Sequence, residues 1–259
     1  MVKINNFLDN DDILIKEEMG AFKVLEFKRD LSVTPLEAPT KYFMSQMNVR
    51  RRQLMCDVSK SSITCQAGAM QWTVGSVSAT TGIKGAGDLL GKMFKGAASG
   101  ESAIKPEYEG DGFLVLEPTY KHILLVDVDD WGGKMVLEDG LFLACDRELK
   151  HQLVMRSNFS SAVAGGEGLF NIALVGGGIA ALESDVPREE LIEIVLENDV
   201  LKVDGNMAIC WSGSLEFSVE RSGKSLIGSA VSGEGLVNVY RGSGKIWMSP
   251  VGEIKVAQG

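Results

Sequence analysis

Gly110-Asp111-Gly112-Phe113-Leu114, Gly166-Glu167-Gly168-Leu169-Phe170 and Gly233-Glu234-Gly235-Leu236-Val237 share one pattern: an acid between two glycines, then two apolar residues. The later copies extend further. Asn171 matches Asn238, Ile172 matches Val239, and Gly176-Gly177-Gly178 matches Gly242-Ser243-Gly244 with a one-residue gap. A second signature precedes each copy, as Ala67-Gly68-Ala69-Met70, Asp139-Gly140-Leu141-Phe142 and Asp204-Gly205-Asn206-Met207. Met70, Phe142 and Met207 stand two residues beyond the glycine, and Trp72, Ala144 and Ile209 stand four beyond. That period-2 apolar face is what a half-buried strand requires. Two ordered signatures recurring three times imply an all-β chain built from three degenerate copies of one unit.

The spacing between signatures divides the chain. Gly68 to Gly110 spans 42 positions, Gly140 to Gly166 spans 26 and Gly205 to Gly233 spans 28. The first unit therefore carries an insertion of about fifteen residues, placed within 79–100. The expected organisation is an N-terminal extension over 1–48, β units over 49–120, 121–187 and 188–251, and a tail over 252–259. Within the extension, Ile13-Leu14-Ile15 and Phe22 to Phe27 read as two short strands. Pro39 to Met47 reads as a short helix with proline near its first turn. Other helical candidates lie near residues 83–96 and at Pro187-Arg188-Glu189-Glu190.

Composition bounds the function classes. Among 259 residues, 45% are hydrophobic and 24% charged, the balance of a soluble globular chain. With 30 glycines and only 6 prolines, tight turns between short strands are favoured. A formal net charge of -9 repels phosphate backbones and disfavours nucleic acid as a partner. Arg50, Arg51 and Arg52 form the tight basic cluster, but on a strand they alternate between faces, as ion-paired or solvated residues. Cys56, Cys65, Cys145 and Cys210 make no C-x-x-C pair, and His122 and His151 are the two histidines. A structural zinc site needs closely spaced Cys/His pairs, so no metal is expected. The stretch from Ile172 to Leu182 is apolar but too short to span a bilayer. With no signal-peptide pattern at the N-terminus, a reducing, cytoplasmic setting is the expectation, with no transmembrane segment.

Several motifs offer chemistry and are outweighed. Gly176-Gly177-Gly178-Ile179-Ala180-Ala181 fits a permissive dinucleotide fingerprint. Its counterpart Gly242-Ser243-Gly244 leads into the strand-like Lys245-Ile246-Trp247-Met248, so a hairpin turn is expected instead. Gly91-Lys92 hints at a phosphate loop, but Ala86 and Met93 stand where glycine and Ser/Thr are needed. Asp111, Glu167 and Glu234 align across the copies. Around a pseudo-threefold axis they would form an ion cluster of hard oxygen ligands, whereas as turn residues they face water. Cys145 and Cys210 align with Thr73, a small packing position, and no histidine is near in sequence to activate a thiol. No catalytic residue and no cofactor is expected.

The insertion is the most distinctive segment. Leu89, Leu90, Met93 and Phe94 fall on one face of a helical turn, with Lys84, Lys92 and Lys95 around them. These apolar residues require a partner, in the same chain, in a neighbouring subunit, or at a membrane surface or another protein. Leu89, Leu90, Met93, Phe94, Lys92 and Lys95 are therefore the candidate contact surface.

The chain resembles the bacterial branch of the mitochondrial-biogenesis family, catalogued as a domain of unknown function with a TRAP-like fold. The resemblance rests on Asn48-Val49-Arg50-Arg51-Arg52, Ala67-Gly68-Ala69-Met70, Ser99-Gly100-Glu101-Ser102 and the Gly-Glu-Gly-Leu copies, and covers roughly residues 40–250. It implies three tandem TRAP-like β-barrel or double-stranded β-helix units, with no established enzymatic activity. TRAP's own ligands do not transfer with its fold. Three function classes follow. The leading one is a non-enzymatic scaffold or interaction protein acting as a homo-oligomer, with a protein partner or a peripheral position on a membrane. The second is a small-ligand, ion or nucleic-acid binding module using clefts between units, and the third is an enzyme whose site is assembled between units.

Overall fold

The computed structural model describes residues 3–81, 105–155, 170–221 and 236–252. The apolar alternation of the sequence resolves into sixteen strands, one α-helix and two short 3-10 turns among these residues. At the N-terminus, β1 (Ile13–Met19) and β2 (Phe22–Phe27) form a hairpin, followed by α1 (Ala38–Gln46) with Pro39 in its first turn. Next come β3 (Arg52–Asp57), β4 (Ile63–Cys65), β5 (Met70–Thr80) and β6 (Glu107–Leu116). The middle of the chain supplies β7 (His122–Asp127), β8 (Lys134–Leu137), β9 (Phe142–Asp146), β10 (Lys150–Met155), β11 (Phe170–Val175) and β12 (Ile179–Ser184). The last part supplies β13 (Ile192–Asp204), β14 (Ala208–Ser212), β15 (Glu216–Arg221) and β16 (Leu236–Met248). The Pro187-Arg188-Glu189-Glu190 step is a 3-10 turn over Arg188–Glu190. The helical candidate near 83–96 lies outside the described residues.

Two sheets hold these strands. The first runs β1-β2-β3-β6-β4-β9-β12-β7, with β5 added beside β6. Its ends, β1 and β7, come together where the Leu125 N–H donates to Glu17 Oε2 at 3.5 Å, leaving a nearly closed barrel. The second runs β10-β11-β8-β14-β16-β13, with β15 beside β16, and curves into a half-barrel. All the strand pairs are antiparallel.

Three local features recur in these pairings. A β-bulge opens β5, β9 and β14, where Met70/Trp72, Phe142/Ala144 and Ala208/Cys210 each face two consecutive residues of the partner strand. The partner residues are Leu116/Val115, Leu182/Ala181 and Met248/Trp247. The extra residue sharpens the right-handed twist and turns the strand around the barrel. One junction is made twice: β4 meets β9 with Thr64 opposite Cys145, and β8 meets β14 with Val136 opposite Trp211. Finally, Gly110/Gly112, Gly176/Gly178 and Gly242/Gly244 stand at the same two distances before Leu116, Leu182 and Met248.

These glycines mark bends. The expected hairpin turn at Gly176-Gly177-Gly178 is a corner instead. β11 lies in the second sheet and β12 in the first, and the two do not pair with each other. The chain leaves one sheet and enters the other here, with Gly176 and Gly178 at positive φ. A strand follows them, so no helix N-terminus is available for a dinucleotide phosphate.

Alternation of side chains along these central strands builds the core in successive layers. From β6, Val115 packs with Leu25 and Met55 on the outer side, while Leu114 and Leu116 enter the barrel interior. From β12, Ala181 faces that interior, while Ala180 and Leu182 face a second layer between the sheets. From β16, Trp247 enters the second layer and Ile246 enters the half-barrel with Trp211 and Tyr240.

Gly110 shows why the bend needs glycine. It sits at φ +129, and a Cβ there would lie 2.0 Å from the Ser76 carbonyl oxygen. Gly140 has φ +78 but open space around its missing side chain. Gly110→Ala should therefore cost more than about 3 kcal/mol, from strain plus a backbone clash. Gly140→Ala should cost only about 1 kcal/mol, from its left-handed backbone. Denaturant midpoints of the two variants check the order, and equal losses would refute it.

Candidate functional site

A cleft of about 250 Å³ opens where the barrel seam meets the half-barrel. Glu17 and Met19 of β1, Leu124 to Asp127 of β7, and Asp130 and Trp131 after β7 line one side. Arg188, Glu193, Lys245 and Trp247 line the other. The elements explain the placement. β7 is the last strand of the barrel path and leaves one edge towards β1. β13 and β16 bring Glu193 and Trp247 into register opposite each other.

Two indoles form the floor. Trp131 and Trp247 meet edge to face at 5.1 Å, the geometry their quadrupoles favour. Lys245 lies 4.9 Å from the Trp131 ring and Arg188 lies 4.3 Å from the Trp247 ring. Such cation–π contacts hold charge against an apolar surface. Glu193 ties the set together, accepting from Trp247 Nε1 at 2.6 Å and from Arg188 at 2.9 Å. At the seam, burial raises the Glu17 carboxyl above its ordinary range, against the lowering effect of the Leu125 N–H. The cleft thus sets both signs of charge over two buried indoles, whose rings Lys245 and Arg188 already flank. The sequence reading missed it because its residues come from six separate elements. The available signal was the pairing of Trp247 in the last strand with charged neighbours.

A second constellation ties β2 to β3 and to the end of α1. Arg52 is 2% exposed and Glu26 4% exposed. Arg52 Nε donates to Glu26 Oε2 at 2.9 Å, and its terminal nitrogens donate to Asn48 O, Asn48 Oδ1 and Arg50 O. Arg50 donates to the other Glu26 oxygen at 3.1 Å and to Ser45 O at 3.0 Å. A buried ion pair persists only when its remaining donors are satisfied in this way. Arg51 pairs instead with Asp30. The three arginines are therefore ion-paired, and none forms an anion patch.

Helix α1 hangs from this network by its polar side. Lys41 donates to Tyr120 Oη at 2.7 Å and lies over its ring, and Tyr120 donates to Asp30. Asn48, at φ +62, ends the helix in the left-handed conformation, with the Val49 N–H donating to Met44 O. The apolar side chains point the other way. Leu36 is 93% exposed, Met47 76%, Phe43 66% and Tyr42 61%. Tyr42 and Phe43 also touch each other edge to face at 5.5 Å.

The sequence-based candidates fare unevenly. Leu89, Leu90, Lys92, Met93, Phe94 and Lys95 lie outside the described residues, as do Glu167 and Glu234. Asp111 sits exposed in β6 between its two glycines, opposite Ser76 of β5. Among the described residues, no His, Cys, Asp and Glu side chains gather as a metal-ligand group.

The cysteines are all buried. Cys145 does have a histidine beside it: His151 Nε2 lies 3.9 Å from its sulfur, six residues along the chain. The expectation of no nearby histidine is corrected here. The turn after β9 folds β10 back, so that His151 reaches Cys145 and packs edge-on against Phe142. Burial keeps both partners neutral. It raises the Cys145 thiol far above its ordinary value, and with nearby Lys105 it pushes the His151 imidazole down to about 4. A thiolate–imidazolium nucleophile would need the opposite shifts.

The sequence profile of the family described as mitochondrial biogenesis AIM24 matches residues 46–251. The chain belongs to that family. An uncharacterized protein of Streptococcus pyogenes serotype M6 is 29% identical over 195 residues, covering 72% of this chain and 76% of that relative. A crystal structure of a Streptococcus pyogenes protein superposes with a TM-score of 0.57 at 25% identity, over 79% of this chain and 90% of that one. The resemblance read from the sequence is thus borne out. The AIM24 match begins at Gln46, so it includes Arg52 but not its partner Glu26, nor most of α1. No described helix is long and apolar enough to cross a membrane.

His151 gives a pH signature. In the unfolded chain it protonates near 6.5, whereas in the fold it stays neutral to about 4. Between these values the unfolded state binds the extra proton, so stability falls as pH falls. The drop in denaturant midpoint from pH 7 to pH 5 should be smaller in His151→Phe than in the parent, and an identical drop would remove His151 from the account.

Proposed function

We propose that this chain is a non-enzymatic scaffold or interaction protein that works as a homo-oligomer. The observation that carries the reading is helix α1, held to the barrel by polar side chains while Leu36, Tyr42, Phe43 and Met47 face solvent. Nothing in helix propensity requires that arrangement. A helix on a protein surface ordinarily turns its apolar stripe to the core. The sequence-derived surface at Leu89, Leu90, Met93 and Phe94 adds a second apolar set of the same kind, and its lysines leave a membrane surface open as a partner.

The architecture we infer is three tandem β units. The bulges, the twice-made junction and the three glycine pairs support it. On this alignment Asp111 corresponds to Gly177 and Ser243, so the strand register favours a solvent-facing role for Asp111 over an ion cluster with Glu167 and Glu234. A Tyr42→Ser, Phe43→Ser, Met47→Ser triple variant should lower the oligomer mass in light scattering, and so should deletion of residues 82–97. If both keep the parent mass and the same vesicle flotation, neither surface is the contact.

A second reading is favoured by the tryptophan-floored cleft: a module that binds a small ligand between the second and third units. Native mass spectrometry of protein taken from cells should then show a retained small molecule that Trp131→Ala and Trp247→Ala lose. A parent protein that carries no added mass would refute this reading.

A further inference from the structure

The two sheets contain the same six-strand order. In the barrel it runs β5-β6-β4-β9-β12-β7, and in the half-barrel β10-β11-β8-β14-β16-β13. In each, the centre is the junction already described, β4 with β9 and β8 with β14. Its hydrogen-bonded pairs are set by the backbone. Gln66 N donates to Leu143 O and Arg147 N to Ser62 O around the Thr64–Cys145 pair. Glu138 N donates to Ile209 O and Gly213 N to Lys134 O around the Val136–Trp211 pair.

The strands that would make a third such junction are both present, and among the described residues each is paired along one edge only. β13 is the counterpart of β4 and of β8: Val203 faces Asn238 of β16 as Leu137 faces Ile172 of β11. β5 is the counterpart of β9 and of β14, starting with the same bulge. Among the described residues, β13 pairs only with β16 and β5 only with β6.

The parity of these edges fits the junction. The Val200 N–H donates to the Asp199 carboxylate at 2.8 Å and so does not enter the β16 ladder. Alternation then turns the Lys202 backbone outward as well. On the other strand, Gly112 O accepts from Val58 N, so Gly112 faces away from β5. Its partner Gly75 therefore faces β5's outer edge, as does Thr73 two residues before it. The position equivalent to Thr64–Cys145 and Val136–Trp211 is Lys202–Thr73, and both backbones point outward where the pair requires it. On the opposite face the register brings Val203 beside Trp72 and Leu201 beside Val74. Val203 is buried, and the other three lie half-buried.

The β5 edge also lacks the usual protection. Met70 to Thr80 carries no charged residue and no proline. Charge and proline are two of the devices that keep natural edge strands unpaired, bulges being another; β13 itself carries Glu197, Asp199, Lys202 and Asp204. We infer that the outer edge of β13 pairs with the outer edge of β5 from a second copy of this chain, repeating between chains the junction that each chain makes twice within itself. The contact is head-to-tail, so it generates a ring or an open row of copies. This inference rests on the homo-oligomer reading and assigns it a surface.

Single Thr73→Cys and Lys202→Cys variants test it, since both positions are exposed and the native cysteines are buried. Opposed residues of a hydrogen-bonded antiparallel pair have Cα atoms about 5.5 Å apart, within the range a disulfide spans. An oxidised mixture of the two single variants should give a disulfide dimer containing one of each as the main product on a non-reducing denaturing gel. Either variant alone should stay monomeric there, and the double variant should give a ladder of multimers. A double variant that instead closes a disulfide within one chain overturns the inference, because the junction then belongs to the monomer. If the mixture gives no dimer while the parent is oligomeric by light scattering, this edge pairing is wrong and the homo-oligomer reading stands. A monomeric parent overturns both.

Discussion

The fold depends on long strands that are hydrogen-bonded on both edges while they bend. β6, β16 and the β11–β12 run each do this, with different neighbours along each edge. A strand paired on both sides has no free edge along which to swing, so the bend must be absorbed by the backbone itself. The glycine pairs absorb it. At Gly110 and Gly112 the neighbouring β5 carbonyls lie about where Cβ atoms would be, at 2.0 and 2.1 Å. The bulges supply the complementary curvature on the partner strands. Removing either device would flatten the sheets and open the barrel interior to water.

With curvature fixed, the core follows. The buried parts of the central strands give one face to one hydrophobic layer and the other face to the next, so the layers share walls. The N-terminal hairpin ends this series on one side, where Leu25 packs with Met55 and Val115. The buried Arg52–Glu26 pair ties that hairpin to β3 and to the end of helix α1. A charged anchor costs more desolvation than an apolar one, but its directional hydrogen bonds fix where the helix sits. The helix can then present tyrosine, phenylalanine and methionine to solvent.

Much of this was legible in the sequence. The strands of the extension, its helix, the all-β character and the family were read from periodicity, glycine spacing and short motifs. Those are local signals, and local hydrogen bonding and side-chain alternation determine them. The glycine triplet at 176–178 was read correctly as leading into a strand, yet wrongly as a hairpin. The same residues serve a turn and a corner, and only the partners of the flanking strands tell these apart. The proximity of His151 to Cys145 was missed because a six-residue separation puts two side chains together only when the intervening turn folds back. The cleft was missed for a related reason, since Glu17, Trp131, Arg188 and Trp247 have no sequence spacing in common.

The sequence by itself therefore determined the all-β character and membership in the AIM24 family. Composition and period-2 patterning act within a few residues, and a linear chain records them directly. The tertiary structure alone decided which strands share an edge, which faces share a core, and which charges meet in the cleft. It also showed the junction made twice and, among the described residues, two strands paired along one edge only. Those outcomes depend on long-range pairing, where register between distant strands is set by curvature and packing that no single stretch of sequence contains.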